Sequence, residues 1–95
     1  MNQNQSPEQL ICVDEPQEVY SASTLMDKVR ETLLLPGDIR IDLQGAERIH
    51  AAVLQVLIAA QQSCSGSDRS FTVSGAAPGA TFLLQMAGLS VSIQA

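Results

Sequence analysis

The chain has 95 residues, ten acidic and five basic side chains for a net charge of −5, and 45% hydrophobic content. That length is one domain with one core, and the apolar fraction excludes a disordered chain. An acidic chain with no Trp and three aromatic residues is poorly suited to nucleic acid, whose phosphates repel it and whose bases need stacking partners.

Residues 1–8 read as a flexible tail and residues 9–95 as the domain. Met1 to Pro7 has neither the basic nor the apolar region of a secretory signal, and the longest apolar run, Val56 to Ala60, is far short of the roughly 20 residues of a membrane span. No Lys/Arg-rich helix face suits a bilayer surface. The expected location is the cytoplasm, without direct membrane insertion.

Gln9 to Val13 is a short apolar run that predicts a strand. Asp14-Glu15-Pro16 reads as a turn, and Val19-Tyr20 as a second short extended piece. Ala22, Leu25, Met26, Val29, Thr32 and Leu33 follow helical spacing, which predicts a helix over 22–35 with Ser21, Ser23 or Thr24 as its cap. Pro36-Gly37 ends it. Ile39, Ile41 and Leu43 alternate with Arg40 and Asp42, a strand over 38–43. A second helix is expected at 51–63, with Leu54, Leu57, Ile58, Val53 and Ala51 toward the core. Ser63 to Ser67 reads as a loop. Phe71 to Val73 is a third strand, Pro78 opens a third helix that Gly88 stops, and Leu89, Val91 and Ile93 form a last strand. Strands alternating with helices predict an α/β fold, a mixed and mainly parallel sheet with helices packed on it.

Enzyme templates fail in turn. There is no GxGxxG, no GxxxxGK[ST] and no GxSxG, so no catalytic residue, cofactor or metal is assigned. Asp38, Asp42 and Glu47 are better read as turn and surface carboxylates than as metal ligands. Cys12 and Cys64, far apart and without a CxxC, are expected to be reduced, half-buried packing residues. The turn Gly75-Ala76-Ala77-Pro78-Gly79 is the single candidate for holding an anion at a helix start.

The second helix is more informative. From Ile49 to Ser67 there is no Asp, Glu, Lys or Arg, and Ala52, Gln55, Ala59 and Gln62 form one uncharged stripe. Such a face lets another protein approach without burying a charge; cover by another part of the same chain, or by a second copy in a homodimer, are the alternatives. His50 stands at the start of this helix, where it either satisfies a backbone group or titrates near neutral pH. Glu47 and Arg48 read as solvated turn residues, with Arg48 a possible contact for an acidic partner group.

The stretch Ile41-Asp42-Leu43-Gln44-Gly45-Ala46-Glu47-Arg48-Ile49-His50-Ala51-Ala52-Val53-Leu54-Gln55-Val56-Leu57 resembles the strand–turn–helix signature of the STAS family of sulfate transporters and anti-sigma factor antagonists. Gly88-Leu89 is similar to the family's Gly-Leu after its third helix, and Glu18 with Ser21 to Leu25 resembles its acid-containing first loop. The resemblance spans most of residues 9–93. It implies a small binding module. In the antagonist branch a partner kinase, itself an anti-sigma factor, phosphorylates a serine at the start of the second helix, and the added charge of about −1.5 to −2 ends binding. The family's Asp aligns here with His50, its phosphoacceptor serine with Ala51, the next serine with Ala52 and its glycine with Val53. Alanine has no hydroxyl, so the resemblance implies a docking surface without the serine switch. The segment looks closest to short, stand-alone members in signalling clusters, including chemotaxis-like ones. The expected partner is a signalling protein: a histidine-kinase-like ATPase, an anti-sigma factor or a chemotaxis-type kinase. The partner-binding set is Glu18, Glu47, Arg48, His50, Ala52, Gln55, Ala59 and Gln62. Two other functions stay open: a fixed STAS subunit of a transporter or lipid-transport ATPase assembly, and a nucleotide or small-ligand binder.

Overall fold

The computed structural model describes residues 8–92. Three strands and three helices alternate: β1 (Glu8–Cys12), α1 (Val19–Leu33), β2 (Asp38–Asp42), α2 (Ala51–Ser65), β3 (Phe71–Ser74) and α3 (Pro78–Met86). The sheet order is β1-β2-β3, and both pairings are parallel. Ile11 lies opposite Ile41, and Ile41 opposite Val73. The fold is α/β, and every strand pairing among the described residues is parallel.

Alternation along the strands sets the two faces of the sheet. Ile11, Ile39, Ile41, Phe71 and Val73 are buried and form the core with Leu25 and Val29 of α1 and Val53, Val56 and Leu57 of α2. The opposite face carries Leu10 and Cys12, both exposed, with the partly exposed Arg40, Asp42 and Thr72. Arg40 pairs there with Glu8 at 2.8 Å. Glu8 thus belongs to β1 rather than to the expected tail, whose residues 1–7 lie outside the described residues.

Four expectations are corrected. Val19-Tyr20 is not extended; it is the first turn of α1, three residues ahead of the predicted start. Glu15 turns the chain with φ 51°, Glu18 N–H donates to Glu15 O at 3.0 Å, and this reversal overrides the β preference of Val19. The N-cap is accordingly Glu18, which makes no side-chain cap bond. The Ser21 hydroxyl instead donates back into the loop, to Glu15 O at 2.9 Å and Asp14 O at 3.3 Å.

Ser63 to Ser65 is helix rather than loop. Buried Cys64 extends the apolar row of Val53, Val56, Leu57 and Ala60 by one turn, and the hydroxyls of Ser65 and Ser67 donate to the carbonyls of Gln62 and Cys64. The same row corrects the core face of α2. Val53 and Leu57 are buried as expected, but Ala51 is exposed, and Leu54 and Ile58 only flank the core. Two neighbours fix that phase, the sheet beneath and α1 alongside. Beside β3, the described part of the expected last strand pairs through a bridge between Val91 and Val73, with Val73 N–H donating to Ser90 O and Ser92 N–H to Val73 O. Leu89 is buried; Ile93 lies outside the described residues.

Among the described residues no helix is long and apolar enough to cross a membrane.

Candidate functional site

The loops leaving β1, β2 and β3 (residues 13–18, 43–50 and 75–77) meet at the carboxyl end of the sheet, the end where open parallel sheets place their binding groups. Backbone bonds knit them together. Gly45 N–H donates to Gly75 O at 2.5 Å, Ala77 N–H to Ala46 O at 2.8 Å, and His50 N–H to Pro16 O at 2.8 Å. The Gln44 side-chain amide adds a bond to the Asp14 carboxylate at 2.7 Å. Gly75 is required here. Its φ is 77°, and a Cβ would run into the Asp42 carboxylate, which already accepts from Gln44 N–H at 2.8 Å.

This knitting brings the predicted residues of two distant segments to one end. Glu18 ends the first loop, half-buried, two residues after the carbonyl that holds His50. His50 is the N-cap of α2: its Nδ1 accepts from Ala52 N–H at 3.0 Å, and its carbonyl accepts from Leu54 N–H. That satisfies one of the orphan donors every helix start leaves, the structural role expected for it. Glu47 and Arg48 are exposed in the second loop. Ala51 is exposed, and Ala52 is half-buried against the core edge. Gln55, Ala59 and Gln62 are exposed in a line along α2. With Asp14 and Glu15, the loop end carries more carboxylate than Arg48 offsets.

The carboxylates Asp38 and Asp42 are engaged by backbone amides; Asp38 accepts from Ser70 N–H at 2.9 Å. Among the described residues no three His, Cys, Asp or Glu side chains gather to hold a metal. The cysteines depart from a shared half-buried state: Cys64 is buried and Cys12 exposed. Burial pushes the Cys64 thiol up.

Two features were missed from the sequence. Gln61, beside the predicted Gln62, holds the far end of α3: its amide donates to Gly88 O and accepts from Ser90 N–H, both at 2.8 Å. Phe82, Leu83 and Met86 of α3 are exposed. Their signal was present in the sequence, as large apolar residues at helical spacing in a segment with no charge after Arg69.

The geometry defines a class: a small parallel α/β domain that presents the start of its second helix, capped by a histidine and uncharged along its outer face, beside three knitted loops. A family model described as "Mlab, STAS domain" matches residues 13–94, and the chain belongs to the STAS-domain family. Neither a curated protein nor a solved structure matches it.

Proposed function

We propose that this chain is a non-enzymatic interaction module of a cytoplasmic signalling pathway, similar to an anti-sigma factor antagonist but without the serine switch. It docks a histidine-kinase-like ATPase or anti-sigma type of partner through the loop from Gly45 to His50 and the outer stripe of α2, Ala52, Gln55, Ala59 and Gln62. One observation carries this reading. Gln55, Ala59 and Gln62 stay exposed on a helix that bears no charge along its length, whereas helices meant for water usually show charge there. Burying amides and methyl groups under a partner costs far less than burying ions. Exposed Ala51, at the aligned phosphoacceptor position, gives a kinase no hydroxyl, so binding is constitutive.

The same alanine favours a second reading, a fixed subunit of a transporter or lipid-transport ATPase assembly, where a permanent interface needs no switch. A nucleotide reading has less support. Pro78 has no N–H to offer a phosphate, Ala77 N–H is already bonded to Ala46 O, and the cleft lined by Gly75, Ala76, Pro78, Thr81, Phe82, Gln85 and Ser92 contains no basic residue.

The test is affinity capture from the source cell with wild type and Gln55→Arg in parallel, partners being identified by mass spectrometry. A kinase-like ATPase held by wild type and lost by the variant supports the signalling module. A transporter or lipid-transport subunit with the same dependence supports the second reading. Equal recovery by both proteins removes α2 as the docking face.

A further inference from the structure

Helix α3 carries no charged side chain, and neither does any position from Ser70 to Ala95. It buries Ala80 and Leu84. Its other side leaves Phe82 65%, Leu83 44% and Met86 72% exposed. Pro78, Phe82 and Met86 recur every four residues, so they form one stripe, with exposed Gly79 beside it. Contiguous exposed Phe, Leu and Met on a helix mark an interaction surface rather than ordinary scattered exposure.

We propose that this surface is covered by the same surface of a second copy, the two α3 helices lying antiparallel about a two-fold axis. The first reason is shape. Phe82 is the central residue of α3, so a two-fold contact sets ring beside ring, an arrangement aromatic pairs favour. The large residue near one end then meets the small residues at the other. Met86 of each copy lies over Pro78 and Gly79 of its mate, where a Cβ on Gly79 would have nothing within 4 Å.

The second reason is charge. The N-terminal end of the helix sits by the acidic loops: the Asp42 carboxylate lies against Gly75, and the carbonyl of Ala46, the residue before Glu47, accepts from Ala77 N–H. The C-terminal end runs into Ala87, Gly88 and Ser90, uncharged and held by Gln61. Antiparallel pairing therefore sets each acidic end against the mate's neutral end. A chain of net −5 meets its copy without carboxylate facing carboxylate, which like-charge repulsion would otherwise oppose. The contact proposed here uses none of Gln55, Ala59 and Gln62, so different variants test it and the partner docking proposed above.

Sedimentation velocity of the full chain from about 5 µM to about 500 µM covers the dissociation constants of weak and moderate interfaces. The expected result is a mass that rises from one chain to two. Phe82→Glu is expected to weaken association at least tenfold with an unchanged far-ultraviolet circular dichroism spectrum. Gly79→Leu, at an exposed position with room for the side chain, is expected to weaken it too while the fold is kept. Gln55→Arg is expected to leave it unaltered. A wild-type chain that is monomeric throughout would overturn the proposal and leave α3 to a different protein. Dimers insensitive to both α3 variants would overturn it as well, and loss of the dimer in Gln55→Arg would move self-contact to α2.

Discussion

His50 does for α2 what Ser, Thr or Asp usually do at a helix start, accepting a backbone N–H through Nδ1. His50→Ala is expected to lower stability by about 1 kcal/mol in urea unfolding, and His50→Asn to recover most of it. An unchanged midpoint for His50→Ala would show that the cap bond contributes nothing. The capping position was legible, because His50 directly precedes the uncharged apolar run. The role of Ser21 was not. Its residue type suits a cap, but the reversal at Glu15 (φ 51°) starts α1 earlier, and the hydroxyl bonds backward into the loop. At the same scale the cysteines differ in access and, for Cys64, in its raised thiol. A maleimide reagent is expected to label Cys12 at once and Cys64 only after unfolding, read by mass. Labelling of both at equal rates would contradict the buried placement of Cys64.

At the scale of elements, the order and type of all three helices and of the first three strands were legible from periodicity and from Pro and Gly positions. The phase of α2 was not, because its outer and inner faces are both uncharged and only the neighbours α1 and the sheet decide between them. For the last strand, Leu89 and Val91 alternate with serines as a strand would, and the bridge from Val91 to Val73 is the one pairing there among the described residues. Arg69 shows what sequence spacing hides. It reaches across more than thirty residues to close the end of α1, donating to Gly37 O at 2.7 Å, Leu33 O at 3.0 Å and Thr32 O at 3.2 Å. A cation there also faces the negative end of the helix dipole. Arg69→Ala is expected to cost about 2 kcal/mol, since the carbonyls lose charge-assisted bonds, and Arg69→Lys to restore only part of it because a point charge cannot fork across three carbonyls. A thermal midpoint for Arg69→Ala equal to wild type would remove this clamp from the description of α1.

Across the whole molecule, charge is divided. Apart from Asp68 and Arg69, every Asp, Glu, Lys and Arg precedes Ile49, so the acidic loop end gives way to neutral surfaces on α2 and α3. That division was visible in the sequence for α2 and overlooked for α3. The approach of the first loop to His50 was beyond sequence reasoning, since it depends on the bond from His50 N–H to Pro16 O between loops brought together by parallel strands. The docking surface proposed at the start of α2 can be tested apart from folding, because Ala51 is exposed there and a negative charge at a helix N-terminus is mildly stabilising, by about 0.3–1 kcal/mol. The decisive measurement is calorimetric titration of the captured partner with wild type and Ala51→Asp, beside their unfolding curves. The expected result is a variant at least as stable as wild type that binds ten or more times more weakly; equal affinity for the two proteins would contradict a docking surface at the start of α2.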